Sequence, residues 1–305
     1  MTDIHQAHTA LGDVAARTLA NATKTIPMMG TITPRWLTHL LQWVPVEAGI
    51  YRVNKVKDPD RVTVDCSAKD ERELPATYVD YEEWGREYVL SAVNTVLDVH
   101  VRVADLYSSP HDQTREQLRL TIETIKERQE SELINNNEYG LLNNVAKSMK
   151  IKTRSGAPTP DDLDELISLV WKEPGFFLAH PKAIAAFGRE CTRRGVPPPT
   201  ASLFGSQFLT WRGLPLVPCD KLGINGGKTN ILLLRTGESR QGVVGLYQPG
   251  LQGEQGMGLS VRFMGINHKA IASYLVSLYC SLAVLTEDAL GVLENVDIGK
   301  YHEYK

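Results

Sequence analysis

The stretch from His111 to Asn135, HDQTREQLRLTIETIKERQESELIN, constrains the fold of this chain more than any other. Leu118, Ile122, Ile125 and Leu133 recur near one face at helical spacing, and nearly every other residue is charged or amide-bearing. The pattern predicts one long helix, mostly solvated, with an apolar stripe too narrow for burial in a single globular core. At a rise of about 1.5 Å per residue it would run roughly 35 Å, the width of a small domain. Two architectures accommodate it. One is an ordinary exposed helix crossing a sheet. The other is a flat subunit that completes its burial against neighbours.

A chain of 305 residues, 42% of them hydrophobic, has room for one large domain or two ordinary ones with a sizeable core. Net charge is only −3 and the two signs are interspersed, without a basic stripe carrying aromatics, which argues against a nucleic-acid partner. Cys66, Cys191, Cys219 and Cys280 are too far apart for a zinc or redox motif, and so few, scattered thiols suit a reducing compartment. The N-terminus does not read as a secretion signal: its first basic residue is Arg17, and no apolar core of the required length follows. The uncharged run AIASYLVSLYCSLAVLT, residues 270–286, falls short of the roughly 18–20 apolar residues that span a bilayer and carries serines and tyrosines. It reads instead as a doubly buried strand, or a strand running into a turn.

Along the chain, Met1 to Ile32 look like an arm whose short amphipathic segment, with Leu11, Val14 and Leu19, must dock on something to fold. Thr33-Pro34 marks a helix start, with Trp36, Leu37, Leu40 and Leu41 on its face and Pro45 ending it. From Gly49 to Glu82 the pattern alternates as strands (IYRVNKV, RVTVDC, TYVDYE) around a polar tip, SAKDEREL, and predicts a projecting flap with little core of its own. Glu87 to Tyr107 is extended or mixed. Residues 135–156 read as a softer connector. Helices are expected from Pro160, with its acidic first turn, and over HPKAIAAFGRECTRRG, ending at Gly195. FLTWRGLPLVP, TNILLLRTG, GVVGLYQ and LSVRFMGI read as strands. The class is mixed α+β.

The search for chemistry returns little. GINGGKT, Gly223 to Thr229, lacks the four-residue spacing of a phosphate loop and leads into a strand, so a glycine-rich hairpin turn at Asn225-Gly226 is expected. Asp161, Asp162, Asp164 and Glu165 spread around a helical first turn rather than converging on a metal. No two of the scattered histidines have the spacing of a metal-binding helix. Cys191 stands near Arg193 and Arg194, which would lower its pKa if they faced it, and is otherwise an inert helical thiol. No catalytic, cofactor-binding or metal residue is assigned.

Several blocks carry a resemblance: TITPRWLTHLLQWVPVEAGIYRVN, YVDYE, LYSSPHDQ with QLRLTIETIKERQE, GAPTPDDLD, HPKAIAAFGRE, RGVPPP with SLFGSQF and TWRG, RQGVVGLYQPGL, GLSVRFMGIN and the tail HEYK. Together they resemble the shell proteins of family 2A encapsulins, bacterial nanocompartments similar to tailed-phage major capsids of the Hong Kong 97 fold. The resemblance implies an N-terminal arm (1–32), an N-terminal helix (33–48), an extended loop reaching a neighbouring subunit (49–82), a peripheral domain with the spine helix (83–158 and 250–305) and an axial domain (159–249). The tip Ser67 to Glu73 and the segment Ala146 to Arg154 look least like the family, as expected of variable surface. It further implies a non-enzymatic shell of about 60 copies, cytoplasmic, without membrane insertion or cofactor, enclosing a cysteine desulfurase and serving sulfur storage. The loop Arg193, Arg194, Gly195, Val196, Pro197, Pro198 and Pro199 is a candidate five-fold pore, since consecutive prolines hold a loop without backbone donors; a buried connector is the alternative. A phage or prophage capsid, and a soluble enzyme with an unrecognised site, are the other function classes.

Overall fold

The computed structural model describes residues 32–57, 76–100, 113–269 and 271–301; the arm to Thr31, the flap tip and His111 lie outside them. In chain order the described elements are α1 (Trp36–Leu40), β1 (Gln42–Pro45), β2 (Ile50–Val53), β3 (Arg86–Val89), β4 (Ser91–Val99), α2 (Gln113–Asn135), β5 (Lys150–Lys152), α3 (Pro160–Leu169), β6 (Phe176–Ala179), α4 (Pro181–Arg193), β7 (Thr200–Leu203), β8 (Ser206–Trp211), β9 (Leu214–Pro218), β10 (Lys228–Leu234), β11 (Val243–Tyr247), β12 (Glu254–Gly256), β13 (Leu259–Ile266), β14 (Ala272–Val284) and β15 (Leu290–Asp297). They form two compact units. Of the described residues, one comprises those up to Arg35, those between Ala92 and Glu130 and those between Gly250 and Leu278; the other comprises those between Trp36 and Ser91, Ser131 to Pro249, and those from Tyr279 to Tyr301.

The larger unit is built on a seven-stranded sheet in the order β5-β15-β10-β6-β9-β8-β7. Its central strands are apolar on both faces, as a doubly covered sheet requires: Phe177, Leu178, Ala179 and Ile231 to Leu234 are fully buried. Helices α3 and α4 belong to the same core through Leu163, Leu166, Ala183, Phe187 and Cys191. Both helices begin as the sequence indicates. Thr159 Oγ1 accepts from the Asp162 N–H while the Asp162 carboxylate accepts from the Thr159 N–H, a reciprocal capping box ahead of Pro160. His180 Nδ1 accepts from the Lys182 N–H ahead of Pro181. α4 ends at Arg193, and Gly195 takes the left-handed conformation (φ +72°) that favours glycine.

Two expectations are corrected in this unit. The helix expected over 33–48 is only Trp36–Leu40. Arg35 sits at φ +49°, so helical geometry cannot begin at Pro34, and from Gln42 the chain is claimed by a parallel pairing with β11, Gln42 opposite Val244 through Pro45 opposite Tyr247. Residues 135–156 are not a soft connector. Tyr139, Leu141, Val145 and Met149 are buried, and β5 pairs in parallel with β15. Consequently 131–158 and 279–301 pack with the strands of 159–249, because β5 and β15 complete the same sheet as β10 and β6. Short β6, with the uniform burial of FFLA, was not legible as a strand.

In the smaller unit β13 pairs antiparallel with the first half of β14, Leu259 opposite Leu278 through Ile266 opposite Ala272, and β4 also pairs with β14. The uncharged run is thus a 13-residue strand, β14, buried along its second half. Among the described residues no helix is long and apolar enough to cross a membrane. The spine-like helix α2 is present, but its polar face is less solvated than expected. Arg35 reaches Glu123 at 2.6 Å and Glu127 at 3.2 Å, and the Thr33 N–H donates to Glu127 at 2.8 Å. The carboxylates of α2 hold the chain that enters from the arm.

Candidate assembly interface

The motifs weighed for chemistry in the sequence serve structure. In GINGGKT the Asn225 and Lys228 backbones bond each other at 2.8 and 3.0 Å, and Gly226 and Gly227 both have positive φ (+57° and +75°). That is a two-residue hairpin turn centred one position later than Asn225-Gly226, feeding β10. Of the four carboxylates, Asp162 closes the capping box, Asp161 pairs with Arg194, Glu165 with Arg154, and Asp164 accepts from Trp211 Nε1 at 2.7 Å and from Arg212. The Arg212 hydrogen bond, against the opposing effect of burial, holds the Asp164 carboxyl below its ordinary range. Burial pushes the Cys191 thiol up to about 11, and the Arg194 charge does not offset it, so Cys191 is a protonated core thiol and not an activated one.

The loop Arg193 to Pro199 is not a buried connector. All seven residues are exposed except half-buried Pro198. Its base is pinned: the Arg194 N–H donates to Glu190 O at 3.2 Å and the Val196 N–H to Cys191 O at 3.0 Å, while Arg193 and Arg194 side chains pair with the buried Glu190 carboxylate at 3.1 and 3.5 Å. A pinned start followed by three prolines presents Val196 on a stiff projection.

The flap is a two-stranded ribbon in which β2 pairs antiparallel with β3, Ile50 opposite Val89 through Val53 opposite Arg86. The returning strand therefore lies at 86–89 rather than at TYVDYE, where a bridge between Val56 and Tyr81 and two hydrogen bonds (Lys57 N–H to Asp80 O, Glu82 N–H to Lys55 O) keep the chain alongside. The base is anchored. Tyr88 is buried with Val46, Val244, Leu246 and Ala283, and its hydroxyl donates to Val284 O at 2.6 Å. Tyr51 donates to Glu238 at 2.9 Å, and burial together with that bond pushes its phenol up to about 12. Beyond the base the ribbon is bare. Residues 76–84 are all exposed, with Trp84 at 85%, Tyr78 at 81% and Tyr81 at 57%.

A second bare apolar stretch lies on β13, where Phe263, Met264 and Ile266 are 57%, 60% and 67% exposed. The sequence marked LSVRFMGI as a strand but not its exposure. The signal present was the loss of alternation: Arg262, Phe263 and Met264 are exposed in succession, so neither face of this strand end meets a core within the described residues. Contiguous exposed aromatic and aliphatic residues of this kind mark protein interaction surfaces.

The chain is similar throughout to proteins that assemble. The family model for SrpI-like type 2A encapsulin shell proteins matches residues 50–300. The type 2A encapsulin shell protein SrpI of Synechococcus elongatus is 75% identical over 296 residues, 97% of either chain. A type 2A encapsulin shell protein of Mycolicibacterium paratuberculosis is 65% identical over the full length of both chains. The solved holo-SrpI encapsulin complex from Synechococcus elongatus matches with a TM-score of 0.85 at 71% identity, covering 97% of this chain and 100% of that one. The capsid of an empty GTA particle shares the fold alone, with a TM-score of 0.62 at 13% identity over 95% of this chain and 100% of its own. The fold is that of the Hong Kong 97-like capsids, and the chain belongs to the SrpI-like type 2A encapsulin shell proteins.

Proposed function

We propose that this chain is the wall of a closed icosahedral compartment of about 60 copies, lying in the bacterial cytoplasm and enclosing a cysteine desulfurase whose sulfur is stored inside. The observation that carries the assembly is the bare ribbon. A lone copy leaves Tyr78, Tyr81 and Trp84 in water, and a neighbouring copy covers them. Small contact energies repeated over a closed symmetric shell make closure cooperative. The cargo assignment follows the family resemblance, and the similar solved structure, named as a holo complex, supports a loaded shell. In this reading the wall is container and gate, and the chemistry is the cargo's. The stiff, exposed loop Arg193 to Pro199 lines the five-fold opening.

Expression of the full chain, followed by size-exclusion chromatography and electron microscopy, tests the assembly. Hollow round particles are expected, and deletion of Met1 to Ile32 is expected to give soluble but unassembled or misassembled subunits. Monomers or dimers with no hollow objects would overturn the reading. Co-expression with the desulfurase tests the cargo: enzyme that elutes apart from the particles removes it.

A further inference from the structure

Asn225-Gly226 is the one Asn-Gly step in the chain. It opens the exposed turn that leads into β10, with Gly226 and Gly227 at φ +57° and +75°. Asparagine is a chemically labile side chain, and a following glycine puts no Cβ in the way of attack by its own nitrogen. Folding protects such a side chain by tying up the carboxamide. Other asparagines of this molecule show that protection. Asn143 and Asn144 donate their carboxamide N–H groups to backbone carbonyls at and just beyond the end of α2. Asn267 Oδ1 accepts from the Lys269 and Ile271 N–H groups at 2.8 and 3.1 Å.

Asn225 is not held in this way. It is exposed, and its side chain makes no hydrogen bond among the described residues. The Gly226 N–H makes no backbone hydrogen bond among them either, and nothing lies within 4 Å of where a Gly226 Cβ would stand. Only the Asn225 backbone is restrained, by the two bonds it shares with Lys228 at 2.8 and 3.0 Å. Both residues are exposed, so these bonds open by local fraying rather than by unfolding of the sheet.

We propose that Asn225 is a self-modifying site, at which the chain deamidates with water as the only co-reactant. The Gly226 nitrogen gives up its proton to hydroxide and attacks Asn225 Cγ. The N–Cγ bond forms, the Cγ–Nδ2 bond breaks, and ammonia leaves from a five-membered succinimide. Water then opens the ring. Addition at Cγ gives aspartate in an ordinary backbone. Addition at the Asn225 backbone carbonyl breaks its bond to the Gly226 nitrogen and gives isoaspartate, whose main chain runs through Cγ and is one atom longer. The sum is amide plus water giving carboxylate plus ammonium, with no oxidant or reductant. Each modified copy gains one negative charge. The longer isoaspartate backbone also breaks the match of residue 225 with Lys228 and displaces the Gly227 carbonyl, which accepts from the Ile298 N–H at 3.1 Å. The modification marks a chain by its age and loosens one turn of the larger unit. It belongs to the single chain and does not depend on the assembly reading.

The test uses the full chain, incubated at pH 8 and 37 °C, digested in heavy-oxygen water and read by mass spectrometry. Heavy-oxygen water separates deamidation of the folded protein from deamidation during digestion, which carries the isotope. The Asn225 peptide is expected to gain unlabelled carboxylate on the order of tenfold faster than the peptides of Asn143, Asn144 and Asn267. The rate should fall steeply at pH 6, where hydroxide is scarce, and Asn225→Gln should abolish the gain. An isoaspartyl methyltransferase should label the aged protein, and hydrogen exchange at the Lys228 and Ile298 amides should rise in the labelled fraction. An Asn225 peptide that deamidates no faster than the other three, or only with the isotope, overturns the proposal. Deamidation that leaves exchange at Lys228 and Ile298 unchanged overturns the loosening of the turn.

Discussion

Among the described residues Arg235 is the largest fully buried side chain, and its surroundings allow a quantitative test. Its side chain is 2% exposed, and Nη2 donates to Asp288 at 2.7 Å and to Thr286 Oγ1 at 2.8 Å. Nη1 contacts the Lys172 carbonyl at 3.3 Å, and Lys172 itself pairs with Asp288 at 3.0 Å. Burial alone would raise the Asp288 carboxyl, but hydrogen bonds from Arg235, Thr286 and Lys172 override it and hold the group well below the usual carboxylate range. Asp288→Asn keeps the shape and removes the only negative charge among these contacts, leaving a buried guanidinium beside Lys172. Breaking a buried pair on one side costs about 3–5 kcal/mol. Asp288 is 28% exposed, so water moderates the loss and the lower end, about 3 kcal/mol, is expected. At about 2–4 °C per kcal/mol for a unit of 150–250 residues, Tm should fall by roughly 6–12 °C.

The double variant Arg235→Met with Asp288→Leu removes both charges and should fall much less, since an apolar pair of similar volume is often neutral. Arg235 Nε is already buried without a hydrogen-bond partner among the described residues, so the native pair is not an optimum to begin with. The pH sign follows from the lowered folded pKa. Stabilisation by Asp288 is complete above the unfolded carboxylate value of about 3.9 and is lost only as pH falls below it toward the folded value. Thermal melts of wild type, single and double variants at pH 7 and 5 decide the matter. A single variant within 2 °C of wild type, or a double variant as unstable as the single, would refute the reasoning.

Three further outcomes are expected. His180 caps α4 as a neutral acceptor, and burial followed by the Lys182 charge lowers its pKa, so its contribution is complete above about 6.5 and declines as pH falls through the folded value; His180→Asn should keep the cap and flatten the Tm–pH curve between 7 and 5, whereas His180→Ala should cost about 1 kcal/mol at pH 8. A Cβ at Gly245 would lie 2.7–2.9 Å from the Trp43 ring, which is tethered by its Nε1 bond to Thr38 O, so Gly245→Ala should cost about 1–3 kcal/mol by melt and Trp43→Leu should relieve it. Val196→Asp, on the exposed loop, should leave particles and Tm unchanged and alter the rate at which small anions reach an encapsulated enzyme; unchanged rates would remove the loop from the pore.

The parts of the fold legible in the sequence are those decided locally. Thr159, Pro160 and Asp162 specify a helix start wherever they occur, because the capping box is closed within four residues. Asn225 to Gly227 marks a hairpin turn, one position later than Asn225-Gly226 suggests, because Gly226 and Gly227 accept the positive φ that such a turn requires. The parts that were misread are decided by distant partners. Gln42 to Pro45 sits in a helical pattern with Leu37 and Leu41 and becomes a strand because Val244 to Tyr247 offers a ladder and Gly245 leaves room for the Trp43 ring. Lys150 to Lys152 is polar at both ends and became structured because the β15 edge was free to take it. Periodicity carries no information about such pairings.

The same distinction governs the interface, and there it is more severe. The aromatics of TYVDYEEW and the run Arg262-Phe263-Met264 alternate too poorly to be assigned to a core face, and a sequence pattern cannot separate a residue buried within its own chain from one buried by a copy. The structure separates them by subtraction. Tyr88, on the same ribbon, finds Val46, Val244 and Leu246 and is covered; Trp84, four residues earlier, is 85% exposed among the described residues. A ribbon anchored so firmly at one end and so bare at the other is stable in water only because its base is attached, and its free end is covered only by association. In a monomeric enzyme selection would replace Tyr78, Tyr81 and Trp84 with polar residues at little cost to folding, since surface substitutions away from caps and core change stability by only about 0.5 kcal/mol. That they stand bare on an anchored ribbon is the physical content of the chain's being a shell subunit.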